Sequence, residues 1–89
     1  MEPFLRQAAL ETLLDHSKEI KAAQLTEALK LGLTDPDFQV AEVAWKFVKK
    51  TSRLKEFKTE LTGLATRLNQ QKDDYSQKLA LVIAKHLDM

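Results

Sequence analysis

Two histidines, His16 and His86, and three serines, Ser17, Ser52 and Ser76, are the side chains with which this chain could move a proton, hold a metal or attack a carbonyl. Their spacing favours none of these. No His-x-x-x-His, no Glu-x-x-His and no pair of acids on an apolar face is present, so no metal site is expected. No serine stands beside an activating base or in a strained elbow. There is no cysteine, which excludes disulfides and thiolate chemistry. With two glycines, Gly32 and Gly63, the chain cannot build a glycine-rich phosphate loop. Catalysis and a bound cofactor are therefore not expected.

The chemistry that does stand out is charge. Residues 46–58 carry Lys46, Lys49, Lys50, Arg53, Lys55 and Lys58 against Glu56 alone. Residues 11–42 carry seven acids, Glu11, Asp15, Glu19, Glu27, Asp35, Asp37 and Glu42, against Lys18, Lys21 and Lys30. The formal net charge of +1 thus conceals a polarised chain. On a helix, Lys46, Lys49, Lys50 and Arg53 fall at i, i+3, i+4 and i+7, one stripe opposite Val40, Ala44 and Phe47. Such a stripe can dock phosphates or an acidic protein surface, or it can be a solvated face whose cations stabilise a helix C-terminus. Trp45 lies at its edge. An exposed tryptophan beside cations would be a binding anchor.

These residues need elements to position them, and apolar residues recur at three and four. The spacing predicts helices over residues 3–14, 18–33, 36–50, 54–70 and 74–87. Leu5, Ala9, Leu10, Leu13 and Leu14 would face inward from the first, Ile20, Ala23, Leu25, Ala28 and Leu29 from the second, and Leu79, Ala80, Ile83, Ala84 and Leu87 from the fifth. Asp35-Pro36-Asp37 offers an N-cap and a proline at the first helical position, and Asp73-Asp74 caps the fifth helix. Asp15 or Ser17 can cap the second. Gly32 suits a helix C-terminus. Gly63, inside the fourth helix, marks either a close helix approach or a weak point. Phe38 and Tyr75 read as anchors of helix starts. At 89 residues, 44% of them hydrophobic, the chain is expected to be one globular domain, residues 1–89. Residues 1–6 lack the pattern of a secretory signal, and the longest apolar run, residues 79–84, is far below the length of about 18 that a membrane span requires. The expectation is a soluble, cytoplasmic protein with no membrane partner.

A repeat underlies the helices. Leu5, Ala9, Leu10 and Leu13 align with Val40, Ala44, Trp45 and Val48, and these with Ser76, Ala80, Leu81 and Ala84. The intervening helices align as well, with Leu25, Ala28 and Leu29 over Leu61, Leu64 and Ala65. The unit is a helix pair of 35–36 residues, which implies stacked hairpins. By this alignment Trp45 fills the slot of Leu10 and Leu81, and is expected to pack against the adjacent repeat. Residues 33–48, with an Asp-bearing turn leading into Val40-x-x-Val43-Ala44-Trp45, resemble the HEAT repeat family. That resemblance implies an all-α, five-helix right-handed stack of antiparallel hairpins, a solenoid fragment of about two and a half repeats. It also implies a protein–protein adaptor or scaffold whose second helices line one face. The arginine of the family's Val-Arg pair is matched by Arg6, but Ala41 and Gln77 stand at the other two positions. The family's Asp–Arg ladder is therefore expected to be incomplete.

The reading that follows is a non-enzymatic interaction domain that meets an acidic protein surface through Lys46, Lys49, Lys50, Arg53 and Trp45. A second reading is nucleic-acid binding, by backbone contacts from residues 46–58 or by a helix-turn-helix at residues 25–48. The acids Asp35, Asp37 and Glu42 at the start of the would-be recognition helix weigh against the latter. Leu81 and Val82 point away from the stripe of their helix and are expected to pack on the preceding helix pair; failing that, the apolar terminal helices could join copies of the chain.

Overall fold

The computed structural model describes residues 2–87 and is all-helical, with no strand among the described residues. Five α-helices follow one another: α1 (Pro3–Asp15), α2 (Ala22–Leu33), α3 (Phe38–Lys50), α4 (Lys58–Asn69) and α5 (Asp74–Leu87). Short 3₁₀ turns at Ser17–Glu19 and Leu54–Phe57 precede α2 and α4. The fifth helix has the predicted span. The second and fourth are shorter than their periodicity suggests. Ile20 and Lys21 are extended and carry the chain across from α1, so neither Asp15 nor Ser17 caps α2. Before α4, the tighter turn places the Phe57 ring in the interior, fully buried.

α3 is the central element. It packs against α1 and α2 and touches α4, while α4 packs against α5 and touches α2. The molecule measures 37 × 32 × 17 Å, and its thin dimension matches about two layers of helices. One core runs through it, built from Leu29 and Leu33 of α2, Val40, Ala44 and Val48 of α3, Leu61, Leu64 and Leu68 of α4, and Ile83 of α5. α1 contributes Leu10 and Leu14. Leu5, Ala9, Ala23 and Ala84 are exposed instead of inward, because α1, α2 and α5 are each covered over a narrower arc than their apolar content allows. Leu81 and Val82 are exposed too, Leu81 by 65%, so they do not pack on the preceding helix pair.

The α2–α3 turn is held from three directions. Arg6 of α1 forms a two-pronged bridge to Asp35, with Nε donating to Oδ2 at 2.9 Å and Nη2 to Oδ1 at 3.1 Å. The Asp37 amide also donates to Asp35 Oδ1, at 2.9 Å. From the other side, Arg67 of α4 donates to the carbonyls of Asp35 and Leu33, each at 2.9 Å, which satisfies the open C-terminus of α2. The Arg67 guanidinium also lies 5.5 Å from the centre of the Phe38 ring. Of the amides at the turn, Asp35 Oδ1 accepts that of Asp37, and the cap of α3 lies two residues on. Asp37 Oδ1 accepts from the Gln39 amide at 2.9 Å, and the helix starts at Phe38, not at Pro36. Burial alone would raise the Asp35 pKa. The bond from Arg6, the Asp37 amide and the charges of Arg6 and Arg67 outweigh it and hold the group below its ordinary value.

The next turn is built differently. Asp73 Oδ2 accepts from the Ser76 amide at 2.8 Å and caps α5, as expected. No arginine reaches Asp73 from α3. α5 is tied to α3 instead by the Tyr75 hydroxyl, which donates to Glu42 Oε2.

The two glycines have opposite roles. Gly32 lies within α2 with ordinary helical backbone, not beyond its end. A methyl group there would come 2.9 Å from Leu10 Cδ2 and 3.0 Å from Ala44 Cβ, so Gly32 lets α1, α2 and α3 converge. A methyl group at Gly63 would meet nothing within 4 Å, so Gly63 marks a weak point and no close approach. Gly63→Ala is expected to stabilise by up to about 1 kcal/mol, and Gly32→Ala to destabilise by about 1–2 kcal/mol because overpacking exceeds the gain in helix propensity. Thermal melts followed by circular dichroism check the pair, at about 4–8 °C per kcal/mol.

Candidate functional site

The bond that ends α3 decides the shape of the basic region. The helix stops at Lys50 and Thr51 caps it. Ser52 then takes a left-handed conformation, φ 58°. The Ser52 amide donates to the Lys49 carbonyl at 3.3 Å and the Arg53 amide to the Val48 carbonyl at 3.0 Å. These two bonds close a Schellman-type C-cap, with serine where glycine is usual.

Lys46, Lys49 and Lys50 therefore share one exposed face of α3, as their spacing predicts. Lys49 and Lys50 occupy the last turn, where cations also favour the helix dipole. Arg53 does not continue the stripe, because the chain has left the helix before it. Its Nε donates to Glu56 Oε2 at 2.6 Å, its Nη2 to Thr26 Oγ1 at 3.2 Å, and its guanidinium lies 5.6 Å from the Phe57 ring centre. The bond from Arg53 holds Glu56 below the ordinary carboxylate range. Arg53 is thus a link between α2, the 3₁₀ turn and the Phe57 ring.

Trp45 also leaves the surface list. It is 3% exposed, and its ring meets the His86 ring of α5 edge to face at 5.4 Å. It packs against the neighbouring helix, as its slot in the alignment predicts. Leu81, in the corresponding slot of α5, is exposed.

Two further lysines join the face from other elements. Lys55 in the 3₁₀ turn and Lys58 at the start of α4 are exposed, and with Lys49 they border a cleft of about 900 Å³. Leu54, Leu87 and His86 also line it. Lys55 and Lys58 are visible in the sequence as members of the cluster. His86 is not: its spacing in the sequence points to no site, and only the approach of α5 to α3 brings it here. Its Nδ1 lies 2.8 Å from the Val82 carbonyl. His16, by contrast, ends α1 and lies 3.6 Å from Glu19.

The start of α3 offers little to a nucleic acid. Asp37 caps it, Asp35 is bound by Arg6, and Glu42 is bound by Tyr75. Val40, Ala41, Ala44, Trp45 and Val48 of the same helix are buried. No protein-family profile, curated protein or solved structure matches the chain.

Truncation separates the two kinds of cation. Alanine at Lys46, Lys49 or Lys50 is expected to shift stability by no more than about 0.5 kcal/mol each, while Arg53→Ala costs about 1 kcal/mol or more through lost packing and hydrogen bonds. Urea unfolding of the four variants measures the contrast.

Proposed function

We propose that this chain is a non-enzymatic protein–protein interaction domain that binds an acidic protein surface through a basic face. The single observation that carries the reading is the exposure of Lys46, Lys49 and Lys50 on one side of α3, extended by Lys55 and Lys58, while the acids at the head of the same helix are engaged in intramolecular bonds. A concentrated field of one sign raises the rate of encounter with an oppositely charged partner and selects against like-charged ones.

The reading includes a HEAT-like stack of hairpins. Three features support it. α2 and α4 are both twelve residues long and start at Ala22 and Lys58, a full repeat apart. α1 touches α3 while α2 touches α4, as expected when successive hairpins stack. The Asp35–Arg6 bridge joins the turn of one hairpin to the helix before it, in the manner of the ladder that the resemblance implies. In this arrangement α1, α3 and α5 form the layer that presents the lysines.

Nucleic acid is the competing ligand for the same lysines. The test uses immobilised protein and an extract of its native cell. Proteins held by the wild type are expected to be released by Lys46→Glu, Lys49→Glu and Lys50→Glu combined, and weakened by the corresponding triple glutamine variant, with circular dichroism unchanged. Retention by the triple reversal contradicts the reading. A steep log–log fall of oligonucleotide affinity with salt, at higher affinity than for any protein ligand, assigns the face to phosphates instead.

A further inference from the structure

Beyond a diffuse field, the geometry points to a defined pocket: the cleft between the α3–α4 turn and the end of α5 receives an acidic peptide segment that carries one large apolar side chain. The inference rests on the basic-face reading above and sharpens its ligand. Two chemistries meet in the cleft. Lys49, Lys55 and Lys58 come from three successive elements and line it as exposed cations, beside Glu56, whose charge is paired with Arg53, while Leu54 and Leu87, both half-buried, supply an aliphatic lining. Its volume of about 900 Å³ is within the range of about 300–1,000 Å³ typical of sites that enclose a ligand. A buried apolar anchor ringed by charge pairs is the usual anatomy of a tight peptide contact.

The cations choose the charge of the occupant, and the aliphatic lining chooses its apolar side chain. Carboxylates flanking a phenylalanine or leucine satisfy both. Single-stranded nucleic acid satisfies the cations, but it stacks its bases on aromatic planes, and here the Trp45 ring is closed off behind His86.

That arrangement also provides a reporter. His86 lines the cleft and packs edge to face on Trp45, the one tryptophan in the chain. Filling the cleft moves His86 and changes the emission of Trp45. A ligand bound only along the outer lysines of α3 leaves that emission unchanged.

The experiment compares three probes at low salt by fluorescence anisotropy and Trp45 emission: a short Asp/Glu peptide with one central phenylalanine, the same peptide with alanine in its place, and a thymidine oligonucleotide of equal charge. The phenylalanine peptide is expected to bind at least about tenfold more tightly than its alanine counterpart and to shift Trp45 emission. Lys55→Glu with Lys58→Glu is expected to remove that binding, with circular dichroism unchanged, while Lys30→Glu, an exposed lysine of α2 outside both the cleft and the basic face, changes it by less than about threefold. Equal, salt-sensitive binding of both peptides overturns the cleft and leaves the basic-face reading standing. Binding that survives Lys55→Glu with Lys58→Glu, or an oligonucleotide that matches the phenylalanine peptide, also overturns it. Failure of both peptides to bind at low salt overturns the cleft and the basic-face reading together.

Discussion

The contact on which most of this structure depends is the grip of Arg6 on Asp35. Apolar packing between α1, α2 and α3, though close at Gly32, is non-directional and leaves the α2–α3 turn unfixed. A forked guanidinium–carboxylate bridge does not, because two parallel hydrogen bonds fix both distance and plane. With Asp35 held, its second acceptor role toward the Asp37 amide fixes the turn, and Asp37 becomes the residue that starts α3. Arg67 closes the same turn from α4 by binding two backbone carbonyls. From that turn α3 runs with Val40, Ala44 and Val48 inward, Trp45 toward α5 and the lysines outward.

The α4–α5 turn lacks this arginine. Ala41 and Glu42 occupy the corresponding region of α3, and the tie to α5 passes through the Tyr75 hydroxyl at an exposed position. α5 is consequently seated by its packing on α4 and by the Trp45–His86 contact more than by a directional clamp. This difference matters for the site, since α5 forms one wall of the cleft. The basic side of the cleft belongs to α3, the 3₁₀ turn and α4, and the wall that carries His86 and Leu87 belongs to α5, which is held mainly by its packing on α4.

What the residues reveal on their own differs from one element to the next. α5 is legible to the residue, because the Asp73-Asp74 pair marks its start and Asp73 caps it. α3 is legible in type but displaced at its start, because two aspartates compete for the cap and only the fold shows that the second takes it. Trp45 is legible as a packing residue through the repeat, since its slot requires a neighbour. Arg53 is misread because the i, i+3, i+4, i+7 spacing of the cations runs past residue 50, where the helix ends both in the expected span and in the fold. Leu81 is misread for the opposite reason: the slot is apolar, but among the described residues nothing buries it. The two glycines look alike in sequence and differ only in what surrounds them, open space at Gly63 and two helices at Gly32. The lysine cluster is fully legible; the cleft it borders is not, because Leu87 and His86 lie about thirty residues away in the chain and arrive only through the folding of α5.

The clamp is tested most directly by the thermal stability of Asp35→Asn relative to wild type as a function of pH. A carboxylate whose pKa is lowered on folding contributes stability above its unfolded value, about 3.9, and loses that contribution as pH falls through the folded value. Asparagine cannot form the charged fork at any pH. The account predicts that wild type melts a few degrees above the variant at neutral pH and that the gap closes progressively below about pH 4. A gap that is absent at neutral pH, or one that persists unchanged into acid, would contradict the claim that the Arg6–Asp35 bridge holds the α2–α3 turn.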